Sequence, residues 1–80
     1  MKAKIQVMLK EGVLDPQGKA VQRALDGLGF SNVGELRLGK MIELIINEND
    51  AEKAHAQISA MCEQLLANTV IENYHIELSD

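Results

Sequence analysis

Ile5-Gln6-Val7-Met8-Leu9-Lys10-Glu11-Gly12-Val13-Leu14-Asp15-Pro16-Gln17-Gly18 is the stretch on which the reading of the fold turns. Its first half alternates. Ile5, Val7 and Leu9 point to one side, and Lys4, Gln6, Met8 and Lys10 to the other, the two-residue period of a half-buried strand over residues 3–9. Gly12-Val13-Leu14 then reads as a loop. Asp15-Pro16 combines an N-cap carboxylate with a proline at the first helical position, where the missing N–H costs nothing. Val21, Ala24, Leu25 and Leu28 form one helical stripe, and Gly29 stops it. Gly18 loosens the first turn.

The rest of the chain repeats that strand-then-helix logic. Residues 33–38 predict a second strand, with Leu36 and Leu38 inward and Glu35 and Arg37 outward. Gly39-Lys40 reads as a tight hairpin turn into a third strand, where Ile42, Leu44 and Ile46 alternate with Met41, Glu43 and Ile45. Asn49 with Glu52 resembles a capping box, with Asp50 as the alternative cap. Ala54, Ile58, Met61, Cys62, Leu65 and Leu66 line one face of the next helix, and Asn68 stands where a left-handed C-terminal residue is wanted. The last strand, about 71–78, alternates Tyr74, Ile76 and Leu78 against His75 and Glu77. The order β-α-β-β-α-β predicts an α+β fold: a ferredoxin-like two-layer sandwich over residues 1–80. With strands numbered along the chain, its four-stranded antiparallel sheet has the order 4-1-3-2, and both helices lie on one face.

Eighty residues make one small domain, for which the folded surface scales to about 4,800 Å². Phe30 and Tyr74 are its only aromatic residues, so the core is aliphatic. So small a core leaves little margin, which predicts a homodimer or higher assembly. Met8, Met41 and Ile45 on the open sheet face are the candidate contacts, with the sheet edges as another route. No apolar run is long enough to span a membrane. A single cysteine, Cys62, and no apolar leader predict a cytoplasmic protein. A net charge of -4 has the wrong sign for a nucleic-acid binder. The charge is uneven, however: residues 1–40 carry seven basic and four acidic side chains, residues 41–80 one and eight.

Catalytic patterns are missing. His55, Cys62 and His75 lack metal-ligand spacing, so no metal site is expected. Ser31, Ser59, Thr69 and Ser79 have no base-and-orienter pattern, and Cys62 falls on the buried stripe where a thiolate is disfavoured. The glycines match no phosphate cradle. The open sheet face (Gln6, Met8, Arg37, Met41, Glu43, Ile45, His75 and Glu77) lacks the aromatics of an RNA platform. No catalytic residue is assigned. In the predicted topology, however, Lys10–Gly18, Arg37–Lys40 and Leu65–Glu72 converge at one end of the sheet. That end is locally basic, and Lys10, Asp15, Gln17, Arg37, Gly39, Lys40, Asn68 and Glu72 are its candidate partner-docking residues.

Val13-Leu14-Asp15-Pro16-Gln17-Gly18, Leu28-Gly29-Phe30, Arg37-Leu38-Gly39-Lys40 and Met61 to Glu72 with Tyr74, in that order, resemble the PurS subunit of phosphoribosylformylglycinamidine (FGAM) synthase. Thr69 and Met41 stand where some relatives have proline and an aromatic residue. The resemblance implies a small non-catalytic dimer in purine biosynthesis. It would help a large synthetase subunit and a glutaminase subunit deliver ammonia to formylglycinamide ribonucleotide. ATP with magnesium, and glutamine, would be used by the complex, and no cofactor is expected on this chain. An ACT-like regulatory domain, which shares the element order and binds a small ligand, is the alternative. An acylphosphatase-like enzyme is excluded, because residues 10–16 contain no arginine.

Overall fold

A computed structural model describes residues 1–80. The elements run β1 (Lys2–Leu9), α1 (Pro16–Gly27), β2 (Gly39–Ile45), α2 (Ala51–Met61), a π-turn at Cys62–Leu66, and β3 (Glu72–Ser79). β1 is the middle strand, antiparallel to both neighbours, in the order β2-β1-β3. Ile5 stands opposite Ile42 and Ile76, and Val7 opposite Lys40 and Tyr74. The alternation read from the sequence therefore holds: Ala3, Ile5 and Val7 are fully buried, while Lys4 and Gln6 face outward.

α2 covers the inner face. Its cap is Asp50, whose carboxylate accepts from the N–H groups of Glu52 at 2.9 Å and Lys53 at 3.3 Å, so the Asn49–Glu52 box is not used. Ala54, Ile58 and Cys62 point into the core with Ile46 and Ala67. The helix then widens. Ala67 N–H donates to the Cys62 carbonyl, five residues back, at 3.0 Å. The extra residue in that turn rotates the chain beyond it, so Leu65 swings out to 83% exposure while Leu66 and Ala67 turn inward. That corrects the expected stripe, from which Met61 also departs. Asn68 is a further correction: no residue other than glycine has a positive φ. It makes an ordinary turn instead, its side chain accepting from Val70 N–H at 3.2 Å.

Three expectations at the front of the chain also fail. Residues 33–38 form no strand, Gly39-Lys40 forms no hairpin, and α1 does not lie on the sheet. The hydrogen bonds give the reason. Leu38 N–H is claimed by the Asp15 carboxylate at 3.0 Å, and the Gln22 side chain donates to the Val33 carbonyl at 3.4 Å. The segment returning from α1 is therefore tied to α1 and its loop, and Gly39 and Lys40 begin β2 itself. Arg37 consequently stands off the sheet face on which it was expected.

Residues 10–38 thus make an arm that projects from a body of sheet and α2. The chain measures 49 × 26 × 14 Å, with a radius of gyration of 16.1 Å against about 12 Å for a compact chain of this length. Its surface is 5826 Å², roughly 1,000 Å² above the scaling value.

Candidate docking site

The base of the arm is where the three predicted segments meet. Asp15 is the joint. As the N-cap of α1 it accepts from Gly18 N–H at 2.9 Å through one carboxylate oxygen, and through the other it holds Leu38 N–H. These bonds, Leu38 first and Gly18 second, keep its carboxyl below the usual carboxylate range. Gly18 is required there, because a Cβ would be driven into the Leu36 carbonyl oxygen. Arg37 closes the other side of the neck, donating to the Leu9 carbonyl and pairing with Glu11 at 3.3 Å. The third segment joins through Lys10 N–H, which donates to the Ile71 carbonyl at 2.8 Å. Asn68 N–H donates to the Glu72 carboxylate at 2.6 Å, and the Asn68 carbonyl accepts from Ile71 and Glu72 N–H.

A groove of about 260 Å³ opens on this joint, lined by Val7, Leu9, Asp15, Gln17, Leu38, Gly39, Lys40 and Glu72. Beside it lies a wider hollow of about 440 Å³ between Lys10, Glu63, Thr69, Glu72, Asn73 and Tyr74. All eight candidate docking residues therefore stand at one end, though not in one role. Asp15, Arg37 and Asn68 spend their polar groups inside the joint. Gly39 lies against β1, where a Cβ would stand 2.6 Å from the Val7 carbonyl and also meet Met8. Gln17 and Lys40 are exposed at the groove. Lys10 and Glu72 border the hollow, half-buried. Val7, Leu9 and Leu38 complete the apolar floor, and the sequence signalled them only as core. Val70, 81% exposed, and Ile71 stand on the turn after the π-turn, within the 65–72 segment expected at this end.

The remaining candidates separate. Met8 and Met41 lie on adjacent rows of the outer face, but Ile45 is held apart from them by the row carrying Lys4 and Glu43. Lys2 and Lys4 pair with Glu43 at 3.5 and 3.9 Å across that row, so the three apolar side chains form no continuous patch. His55 is on exposed α2, 3.5 Å from Ser59 Oγ with no third group to orient it. His75 is on the outer face near Glu77, and Cys62 is in the core, where burial raises its pKa. Nothing in this arrangement activates a nucleophile.

Residues 2–80 match the family model for PurS, phosphoribosylformylglycinamidine (FGAM) synthase. The chain belongs to the PurS family. A PurS subunit from Synechocystis is 50% identical over 76 residues, covering 95% of this chain and 76% of the relative. The crystal structure of Bacillus subtilis PurS superposes with a TM-score of 0.89 at 48% identity, covering 99% of this chain and 98% of that one. A chain in the structure of PurLQS from Thermotoga maritima gives 0.86 at 37% identity, with 95% and 93% covered. The PurS family membership makes this chain a subunit of FGAM synthase, a ligase of purine biosynthesis, and lends nothing to the ACT-like alternative. No helix is long and apolar enough to cross a membrane.

Proposed function

We propose that this PurS chain is a non-catalytic, cytoplasmic subunit that works as a homodimer and docks the synthetase and glutaminase subunits of FGAM synthase. Its role is to keep the two together while ammonia passes to formylglycinamide ribonucleotide. The observation that carries the reading is the arm base. Three connections far apart in sequence are locked together there by Asp15, Arg37 and Lys10, around a groove that sets Val7, Leu9 and Leu38 beside Gln17, Lys40 and Glu72. A rigid, partly apolar, partly charged surface suits a protein partner. The likeness to a chain of PurLQS from Thermotoga maritima supports partners of that kind.

ATP, magnesium and glutamine belong to the partner subunits on this reading. The homodimer is supported by the excess surface, since roughly 1,000 Å² from each of two chains reaches the size of a stable interface.

Lys40→Glu tests the docking end. Lys40 is exposed and makes no ion pair, so the variant is expected to fold with an unchanged melting temperature. Mixed with synthetase and glutaminase subunits, it is expected to assemble weakly and to lower glutamine-dependent turnover. Full assembly by Lys40→Glu and by Gln17→Ala would place the contact elsewhere.

A further inference from the structure

We infer that the outer part of the arm holds a separate site, one that takes a nucleoside monophosphate. α1 has two unlike faces. Val21, Ala24 and Leu28 lie on one, and Lys19, Gln22, Arg23 and Asp26, spaced three and four residues apart, make a polar row on the other. The loop after the helix folds back beside that row. Phe30 N–H donates to the Leu25 carbonyl at 3.0 Å and Gly29 N–H to the Asp26 carbonyl at 3.1 Å, the paired bonds of a glycine-ended helix, with Gly29 at a φ of 101°. The Gln22 amide donates to the Val33 carbonyl at 3.4 Å and holds the far side of the loop. Between row and loop lies a hollow of about 400 Å³, inside the range of roughly 300–1,000 Å³ for small-molecule sites. Gly27, where the loop begins, stands about 18 Å along the helix from Asp15 and the docking groove.

The groups lining the hollow are unspent, and each fits a different part of one ligand. Lys19, Arg23, Asp26 and Ser31 are exposed, and their side chains make no ion pair or hydrogen bond within the chain. Two cations one helical turn apart suit a phosphate, Arg23 through its planar fork and Lys19 as a point charge. Phe30 is 57% exposed although the loop fixes its backbone, and a held, bare ring is a plate on which a base stacks. Asp26, one turn on from Arg23 toward Phe30, can accept from ribose hydroxyls. The helix dipole sets the direction: its negative end at the last turn keeps the phosphate toward Lys19 and the base toward Phe30. Other anions use the site less well. Inorganic phosphate leaves Phe30 and Asp26 without a partner, and an acidic peptide sets like charge against Asp26. A polynucleotide is opposed by the net charge of -4.

The test titrates AMP into the isotopically labelled full chain and follows its amide and aromatic resonances. Saturable shifts are expected at Lys19, Arg23, Asp26, Ser31 and the Phe30 ring, with adenosine and inorganic phosphate each binding at least about tenfold more weakly. Phe30→Leu and Arg23→Gln, both at exposed positions, are expected to keep the parent spectrum elsewhere and each to weaken AMP by about tenfold or more. Lys40→Glu is expected to bind AMP as the parent does, which keeps this site distinct from the docking end. No saturable shift up to millimolar AMP, shifts centred outside the hollow, equal binding of phosphate alone, or unchanged affinity in either arm variant overturns the site. An oligoglutamate peptide that binds there more tightly than AMP would make the hollow a protein contact, and overturns the nucleotide reading.

Discussion

Leu28→Ala separates the stability of the chain from that of the dimer. Leu28 caps the end of α1 and is 73% exposed in the single chain, so its removal takes nothing from the chain's own core. If the second copy of the proposed homodimer covers the arm, Leu28 is buried there. Complete burial of a leucine is worth about 1.5–3 kcal/mol, and the fraction left exposed here corresponds to roughly 1–2 kcal/mol. A twofold interface uses the residue twice, giving roughly 2–4 kcal/mol of association free energy. At tenfold per 1.4 kcal/mol, the dimer dissociation constant should rise on the order of 30- to 1,000-fold. Sedimentation equilibrium across a range of concentrations measures it directly. Circular dichroism at a concentration where both proteins are dimeric checks that the helix content is kept. A dissociation constant within about threefold of the parent, less than 1 kcal/mol, would refute the argument that the arm is covered by a second copy.

Asp15→Asn should lose the joint's acid sensitivity. The carboxyl is held below its unfolded value, so its stabilisation is full above about pH 4 and is lost as pH falls through the folded value; melting curves of the parent should drop there and those of the variant should not. Gly18→Ala should destabilise by about 1–3 kcal/mol in denaturant titration despite a better helix propensity, because the new methyl group meets the Leu36 carbonyl; an increase in stability would show that the returning segment yields freely. Cys62→Ala should cost about 1 kcal/mol of stability and leave turnover of the reconstituted complex unchanged, since the thiol is core; a stable variant that abolishes turnover would make it functional. The isolated chain should neither hydrolyse ATP nor release ammonia from glutamine, and either activity above a mock-purified control would contradict a non-catalytic subunit.

Local periods and caps were the legible part of the sequence. The alternation of Ile5 and Val7, the Asp15-Pro16 start, and the buried Ala54, Ile58 and Cys62 follow from residue spacing, and each holds. The convergence of three loops at one end was legible too, because it depends on strand directions and survives the loss of one strand. The failures share a single cause. Residues 33–38 have strand alternation and α1 has an apolar stripe, and both patterns state that a surface must be covered without stating by which chain. The same is true of Gly39-Lys40, whose composition permits a turn but does not require one. The π-turn left no period at all, so Leu65 could not have been placed. A pattern that fits a fold but finds no cover within its own chain is therefore informative about assembly. Such uncovered patterns are what leave the single chain with a surface roughly a fifth above the compact value.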